Sequence, residues 1–246
     1  MAHRALTSTV HRPWPLPRRP WALTMDWEDL VFLHWPVAAS ALQPLVPRGL
    51  EVEQFDGSAW LGVVAFRMAR TRLRWLPPLP TARSFSELNV RTYVRCGDRA
   101  GVWFFSLDAC SRLAVLGARA LFRLPYFAAT MAVERHDGSV VYASGRRDRR
   151  APAATFVARW RRNGGAVTAP AGSLQHFLTE RYCLFTAGVD GRPRCVEIAH
   201  APWRLGPAAV ELATCDMTRL LGFDLPARPP YALMAEPQTV VAWTPA

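Results

Sequence analysis

Residues 85–94, FSELNVRTYV, decide the fold class that the sequence predicts. Successive side chains of a β-strand point to opposite faces, so Glu87, Asn89 and Arg91 share one face and the apolar residues between them share the other. An aromatic residue flanks the three polar residues on each side of their own face, which argues against full exposure to solvent. The stretch predicts a strand whose polar face lines an internal pocket. An internal salt bridge and a solvated outer face stay open as alternatives.

The residues around this stretch predict a protein made mainly of strands. Short alternating or apolar runs between turn residues are typical of strands. Strands are expected at residues 102–108, 127–134, 139–145, 155–161, 181–186, 194–200, 208–214 and 238–243. Turn chemistry predicts hairpins over residues 50–68 and 127–145. Helices are expected at residues 37–45, 112–123 and 173–179, the last two with Ser111 and Ser173 as caps. The predicted class is mainly β (α+β) with a few short helices.

Length and composition favour one domain. The chain has 246 residues, and half of them are hydrophobic, which suits a single mainly β domain. Residues 1–24 are rich in Pro and Arg and are expected to form an irregular N-terminal arm, with the domain at residues 25–246. Residues 70–80 are expected to form a loop that covers the mouth of a pocket. No apolar run has the length of a membrane span or a signal-peptide core, so a cytoplasmic protein with no membrane partner is expected.

The basic residues are all arginine. Thirty Arg stand against nineteen Asp and Glu, for a formal net charge of +11. Such a charge fits nucleic acid or another acidic macromolecule, above all at the Arg-rich residues 146–162. A GC-rich coding sequence and a charged edge strand explain the same arginines, so nucleic acid is disfavoured as a partner.

The absence of lysine limits the chemistry of the chain. Imine formation with a carbonyl substrate needs an amine, and only the N-terminal amine is present. The five cysteines show no spacing typical of a disulfide framework or a zinc site, so reduced thiols are expected. The histidines do not occur at ligand spacing either, and the sequence predicts no metal and no cofactor.

Several blocks of the sequence resemble the signature blocks of a known family. They are residues 27–35 (WEDLVFLHW), 45–60 (LVPRGLEVEQFDGSAW), 85–94 (FSELNVRTYV), 101–109 (GVWFFSLDA), 178–182 (LTERY) and 200–205 (HAPWRL). In this order they resemble the YqjF-like proteins of unknown function (DUF2071) and, more distantly, the acetoacetate decarboxylase superfamily. The resemblance implies a mixed or antiparallel β cone or barrel around a hydrophobic, carbonyl-binding pocket, and it implies assembly into homo-oligomers.

The same resemblance implies which residues line the pocket. In the decarboxylases a pocket glutamate lies on a strand, and a later Pro-Lys-Lys segment carries the Schiff-base lysine. Glu87 and residues 125–127 (Pro-Tyr-Phe) stand at these places, so an aromatic residue replaces the lysine and the decarboxylase mechanism is lost. The ligand-binding residues expected on this basis are Glu87, Asn89 and Arg91, with Arg119 and Tyr126 opposite them.

Three further residues are candidates for the same pocket. His34 and His200 each lie close to a tryptophan in an apolar context, where a hydrogen-bonded core histidine is the more common case. Glu180 lies at a predicted junction between a helix and a strand, where capping explains it as well as ligand binding does. All three are kept as candidates.

The sequence predicts a protein that binds a small organic acid or carbonyl compound in an internal pocket, without Schiff-base decarboxylation. A buried, unpaired Glu87 would have a raised pKa, so one alternative is a lyase or hydrolase that uses Glu87 or Tyr126 as acid or base. Another alternative is an interaction protein that binds an acidic macromolecule through residues 146–162.

Overall fold

The computed structural model describes residues 3–77, 83–224 and 231–246. Within them the strands are β1 Leu23–Val37, β2 Glu51–Val52, β3 Ala59–Leu73, β4 Phe85–Cys96, β5 Arg99–Ala109, β6 Tyr126–His136, β7 Ser139–Arg146, β8 Thr155–Arg162, β9 Val167–Thr168, β10 Cys183–Ala187, β11 Pro193–Ala199, β12 Arg204–Cys215, β13 Tyr231–Ala235 and β14 Gln238–Ala242. The α-helices are α1 Ala39–Leu42, α2 Arg112–Phe122 and α3 Leu174–Thr179. The predicted class, mainly β with a few short helices, is confirmed. The loop predicted at residues 70–80 is wrong in its first part, because residues 70–73 belong to β3, and its residues 78–80 lie outside the described residues.

The strands form a sheet that closes on itself around a shared wall. β1, β3, β4 and β5 are consecutive antiparallel neighbours and make up this wall. The N-terminal half of β1 also pairs with β14, and the pairing continues through β11 and β10 back to β5. The C-terminal half of β1 pairs with β13, and the pairing continues through β12, β8, β7 and β6 back to β5. The wall and β14, β11 and β10 form the first ring. The wall and β13, β12, β8, β7 and β6 form the second ring, on the opposite side of the wall.

Both faces of the wall are buried because each face serves one ring. On β4, Glu87 belongs to the first ring, and Leu88 and Val90 belong to the second. The second ring is filled by an apolar core to which Tyr142 and Trp160 contribute their large side chains. The first ring leaves a cavity. Strands that are buried on both faces are rich in apolar residues, and three of the polar side chains of β4, Glu87, Asn89 and Arg91, face the cavity.

A bulge in β1 changes which side of the strand faces the first ring. Asp29 has a φ of +56°, and the register of β1 with β3 shifts between Glu28 and Val31. Trp27 and Phe32 both line the cavity, although a regular strand would place residues five apart on opposite faces. The bulge therefore lets β1 supply cavity-lining side chains along most of its length.

α2 packs against the first ring and is the helix that the sequence predicts at residues 112–123. Ser111 caps its N-terminus, and the Ser111 hydroxyl accepts a hydrogen bond from the Ala114 amide at 3.2 Å. The helix ends at Arg123, whose φ of +55° is in the left-handed region. The predicted cap and the predicted helix are both confirmed.

The N-terminal arm, residues 3–22, is irregular apart from a 3₁₀ turn at Arg4–Leu6. Arg4 binds the Asp26 carboxylate at 2.8 Å, at the start of β1. Further along the arm, the buried Arg12 donates to the Ile198 carbonyl and pairs with Glu197 at 3.2 Å. These contacts fasten the arm to the edge of the first ring.

Two local predictions are wrong. Residues 37–45 are not one helix, because Val37 ends β1 and α1 gives way to a 3₁₀ turn at Gln43–Leu45, where Pro44 lacks the amide that would continue the α-helix. Residues 50–68 are not a hairpin either. β2 pairs with β4, since β1 and β4 already occupy both edges of β3.

Two cysteines are paired, contrary to the expectation from their spacing. Cys183 on β10 and Cys195 on β11 form a disulfide with their Cα atoms 5.7 Å apart. The register of β10 with β11 places Phe185 opposite Cys195, so the pair is diagonal across the ladder. Strand register creates this proximity, and cysteine spacing alone does not reveal it.

We expect opposite effects from adding a methyl group at two glycines of the first ring. A Cβ on Gly101 would lie 2.5 Å from the Cys183 carbonyl oxygen, whereas a Cβ on Gly117, within α2, would meet nothing within 4 Å. Gly101→Ala should therefore destabilise the protein by about 1–3 kcal/mol. Gly117→Ala should stabilise it by roughly 0.5–1 kcal/mol, because glycine is unfavourable inside a helix. Urea unfolding measures both, and equal midpoints would contradict the close approach of β5 and β10.

Candidate functional site

A cavity of about 390 Å³ lies inside the first ring. The shared wall supplies one side of it, β10, β11 and β14 supply the other, and α2 lies at one end. Most of its surface is apolar, with aromatic side chains such as Phe32, Phe66 and Trp203. β4 contributes three polar side chains in a row, and further polar side chains line the cavity at Thr71, Arg72, Thr179, Arg181 and His200. The cavity is therefore a largely hydrophobic chamber with a polar strip on β4 and a few other polar groups.

Glu87 and Tyr126 form a buried hydrogen bond in the cavity wall. Tyr126 Oη donates to Glu87 Oε2 at 2.6 Å, and Asn89 Nδ2 donates to Glu87 Oε1 at 3.5 Å. The register brings the two residues together, because Glu87 lies opposite Ala109 at the end of β5 and β6 starts beside that end at Tyr126. Glu87 is only 2% exposed. The carboxyl group thus reaches solvent only through the cavity.

The Glu87 carboxyl has a raised pKa, close to neutral pH. Burial raises the pKa of its carboxyl to about 7, and the hydrogen bonds from Tyr126 and Asn89 offset only part of that rise. Burial and the neighbouring carboxylate raise the pKa of Tyr126 well above its usual range. Near neutral pH Glu87 can therefore act as a proton donor or a proton acceptor, while Tyr126 stays a hydroxyl.

Asn89 and Arg91 present unpaired polar atoms at the cavity. Arg91 Nη2 donates to Tyr93 Oη at 3.2 Å and to the Leu178 carbonyl at 3.4 Å. Arg91 Nε and Asn89 Oδ1 are buried and have no hydrogen-bond partner among the described residues. Arg91 also forms no ion pair within 4.0 Å with any carboxylate of the described residues. A cation without a counter-charge in a largely apolar wall favours an anionic ligand.

Arg181 and Trp27 also line the cavity, although the sequence did not single them out. Arg181 donates to the Glu53 carboxylate and, at 2.7 Å, to the Phe177 carbonyl, so its charge is compensated. The buried indole N–H of Trp27 has no partner among the described residues. Alternation along β1 would have pointed to Trp27 only if the bulge at Asp29 had been known.

His34 faces the interior of the first ring, where its ring stacks on Phe32. Its Nε2 is 2.6 Å from Tyr93 Oη, and burial lowers the pKa of His34 well below its usual value. The Tyr93 hydroxyl donates a hydrogen bond to the neutral His34, while the Tyr93 oxygen accepts a hydrogen bond from Arg91. His34 and Tyr93 therefore position Arg91, and His34 does not line the cavity itself.

His200 lines the cavity, and Glu180 does not. His200 Nδ1 lies 2.8 Å from the Ala201 carbonyl, to which it donates, and burial lowers the pKa of His200. Glu180 accepts hydrogen bonds from the Trp203 amide at 2.8 Å and from the Tyr182 hydroxyl. Glu180 thus ties the chain after α3 to the start of β12, which favours its structural explanation.

The structure corrects the prediction that Arg119 lines this pocket. Helical residues are about 100° apart, and Ala114, Ala118 and Leu121 occupy the cavity side of α2. Arg119 points away from that side, and its Nη1 donates to the Tyr126 carbonyl at 3.0 Å. Arg119 therefore stabilises the backbone of Tyr126 and does not line the cavity.

The Arg-rich residues 146–162 do not all lie on the surface. Arg146 is buried, and its Nε donates to the Asp108 carboxylate oxygens at 2.9 and 3.1 Å. Alternate residues of β7 from Val140 to Arg146 face the core of the second ring, which explains why Arg146 points inward. Arg159 and Arg161 are exposed on β8. The interaction surface considered from the sequence therefore loses Arg146.

No group of three or more His, Cys, Asp or Glu side chains within residues 3–77, 83–224 and 231–246 could hold a metal ion. None of the helices in the described parts of the chain has the length and apolar character that a membrane crossing requires.

Sequence comparison finds one family and a related protein. The family model for DUF2071, an uncharacterised conserved protein, matches residues 24–239. The uncharacterised protein YqjF of Bacillus subtilis (strain 168) is 40% identical over 228 residues, which are 93% of this chain and 93% of that protein. The predicted resemblance is confirmed.

Structural comparison finds the same fold in enzymes of low sequence identity. An acetoacetate decarboxylase-like enzyme from Sphingomonas wittichii RW1 has a TM-score of 0.61 at 16% identity, over 96% of this chain and 97% of that chain. The enduracididine biosynthesis enzyme MppR, complexed with pyruvate, has a TM-score of 0.62 at 13% identity, over 96% and 92%. The predicted acetoacetate decarboxylase-like fold is confirmed, and at this identity the likeness shows the fold alone.

We expect the Glu87 carboxyl to make stability depend on pH. The Glu87 carboxyl has a pKa of about 7 in the folded protein and of about 4.3 in the unfolded chain. Between these two pH values the folded state therefore binds more protons than the unfolded state. Stability is therefore lost as pH rises through this interval. Relative to Glu87→Gln, the free energy of unfolding of the wild type should fall by up to about 1.4 kcal/mol per pH unit between about pH 5 and about pH 7.

Urea unfolding at several pH values across the interval measures this difference. Glu134→Gln changes an exposed carboxylate on β6 and is the matched control, which should follow the wild type. Parallel curves for Glu87→Gln and the wild type would contradict a neutral buried carboxyl.

Proposed function

This chain belongs to the DUF2071 family of YqjF-like proteins, and on that basis we propose that its cavity binds a small organic acid or carbonyl compound. Arg91 is the observation that carries the proposal. Its guanidinium lies in the wall of an apolar cavity and has no carboxylate partner among the described residues. A carboxylate ligand would supply the missing counter-charge and would also pair with the free Nε.

A second polar group of the ligand would meet Glu87 and Asn89. The unpaired Asn89 Oδ1 accepts a hydrogen bond, and Glu87 donates one when protonated and accepts one when ionised. A ligand hydroxyl therefore finds an acceptor in either state, whereas a ligand carbonyl finds a donor at Glu87 when Glu87 is protonated. MppR, which has the same fold, is complexed with pyruvate, an acid that carries a carbonyl group, and this supports a ligand of that class.

The proposal contains no Schiff-base step. An imine with a carbonyl ligand needs a side-chain amine, and the chain has no lysine. Tyr126 stands hydrogen-bonded to Glu87, and burial together with Glu87 raises its pKa well above its usual value, so it supplies a hydroxyl to the cavity and no nucleophilic amine. The chemistry that we propose for the cavity is therefore limited to non-covalent binding and proton transfer.

We expect Arg91→Gln to weaken the binding of small carboxylic acids by on the order of 10- to 100-fold, since charge-assisted hydrogen bonds are lost. Thermal shift across small carboxylic acids, β-keto acids and aldehydes identifies binders, and calorimetry then gives the dissociation constants. Arg159→Gln removes an exposed arginine from β8 and is the matched control. Equal affinity in both variants, or no binding by any acid to the wild type, would overturn the proposal.

Acid–base catalysis by Glu87 is a second candidate function, favoured by its pKa of about 7. A base at this position would exchange the protons next to the carbonyl of a bound oxo acid with solvent. We expect exchange in D2O, followed by proton NMR, to fall by about 10²- to 10⁴-fold in Glu87→Gln and to persist in Glu134→Gln. If these protons exchange only at the uncatalysed rate in the presence of the wild-type protein, acid–base catalysis by Glu87 is contradicted and binding stands as the proposed function.

A further inference from the structure

We infer that the ligand is an amphiphilic carboxylic acid, with its carboxylate at Arg91 and an extended apolar body that leads toward α2. This inference rests on the proposed function and narrows it, because it excludes acids of two or three carbons as the preferred ligands. Three features of the cavity lead to it: the apolar side chains of its walls, the distance along β4 from Arg91 to α2, and the apolar side chains at the α2 end.

The walls of the cavity are mostly apolar beyond the polar strip of β4, although Arg72, Arg181 and His200 also line it. Phe32 and Phe66 from the shared wall and Trp203 from the opposite side exemplify this surface. An apolar surface gains contacts only from an apolar occupant, and each methylene moved from water into such a site is favourable. A short, fully polar acid would leave most of this wall without a partner.

Arg91 lies at the end of the polar strip that is farther from α2. It is four residues beyond Glu87, a rise of about 13 Å at 3.3 Å per residue, and six residues beyond Phe85, a rise of about 20 Å. Phe85 pairs with Met68 of β3. α2 follows β5 at this same end of the wall. An acid held at Arg91 therefore needs a long body to reach the Glu87 region and the α2 end of the cavity.

The rim at the α2 end is itself apolar. Leu113 and Leu121 on α2 and Leu76 after β3 line the cavity, and they are 51%, 40% and 51% exposed. Leucines that line a cavity and also reach solvent form an opening that a hydrocarbon chain can pass through. Arg72 also lines the cavity near this rim, so the reverse orientation, with the carboxylate at the rim, is the alternative that the experiment must separate.

A chain-length series tests the inference. Straight-chain monocarboxylic acids from acetate upward are titrated into the full-length protein by calorimetry, below their micelle concentrations. The dissociation constant is expected to fall by about two- to fourfold per methylene, and to level off once the chain reaches the rim. Arg91→Gln should weaken all lengths, and Arg72→Gln should weaken none. A larger loss in Arg72→Gln than in Arg91→Gln would overturn the orientation.

Two leucines of α2 give a matched pair at the rim. Leu113 lines the cavity, whereas Leu116 is 61% exposed on the same helix and does not line it. Leu113→Asn should weaken the longest acids that bind and leave the short ones unchanged, and Leu116→Asn should change neither. Both positions are exposed, so folding is expected to be retained and is checked by circular dichroism.

The possible outcomes separate this inference from the proposed function. If acetate or pyruvate binds as tightly as an eight-carbon acid, the inference is overturned and binding of a small acid stands. If Leu113→Asn and Leu116→Asn behave alike with long acids, the exit at α2 is overturned. If no acid of any length binds, both the inference and the proposed function fall.

Discussion

Residues 61–66 of β3 and 85–90 of β4 are buried on both faces, because the wall that these strands form with β1 and β5 closes one ring on each side. This double burial is the constraint on which the site depends. Polar side chains are tolerated on such strands only where a cavity or a partner receives them. Glu87 meets Tyr126 and the cavity, and the desolvation that accompanies its position moves its pKa to about 7.

Charge compensation within the fold differs among Arg146, Arg181 and Arg91. Arg146 is matched by Asp108 and Arg181 by Glu53, so each of these cations carries its counter-charge within the fold. Arg91 instead receives a tyrosine hydroxyl, a carbonyl and the face of Phe32, with its ring centroid 5.1 Å away. The groups around Arg91 orient the guanidinium without neutralising it. That contrast makes Arg91 the group in the described part of the cavity best suited to an anion.

Alternation and capping predicted the elements that depend on local physics. The strand at residues 85–94 and the helix capped by Ser111 were correct, because side-chain period and an N-cap act within a few residues. The hairpin at residues 50–68 failed because β1 and β4 pair with the two edges of β3 and leave none for β2. Arg119 failed for a similar reason, since the side of α2 that faces the cavity depends on how the helix packs against the ring.

The sequence by itself determined that this protein has no lysine for an imine, that one strand carries a polar strip and that the family is DUF2071. Only the tertiary structure decided that Glu87 meets Tyr126, that Arg146 is paired inside and that Arg91 is not. Pairing, burial and pKa depend on which strands become neighbours, and the two rings are closed by strands that lie far apart in the chain, β1 with β13 and with β14. The bulge at Asp29 adds a shift of register that no periodic pattern contains.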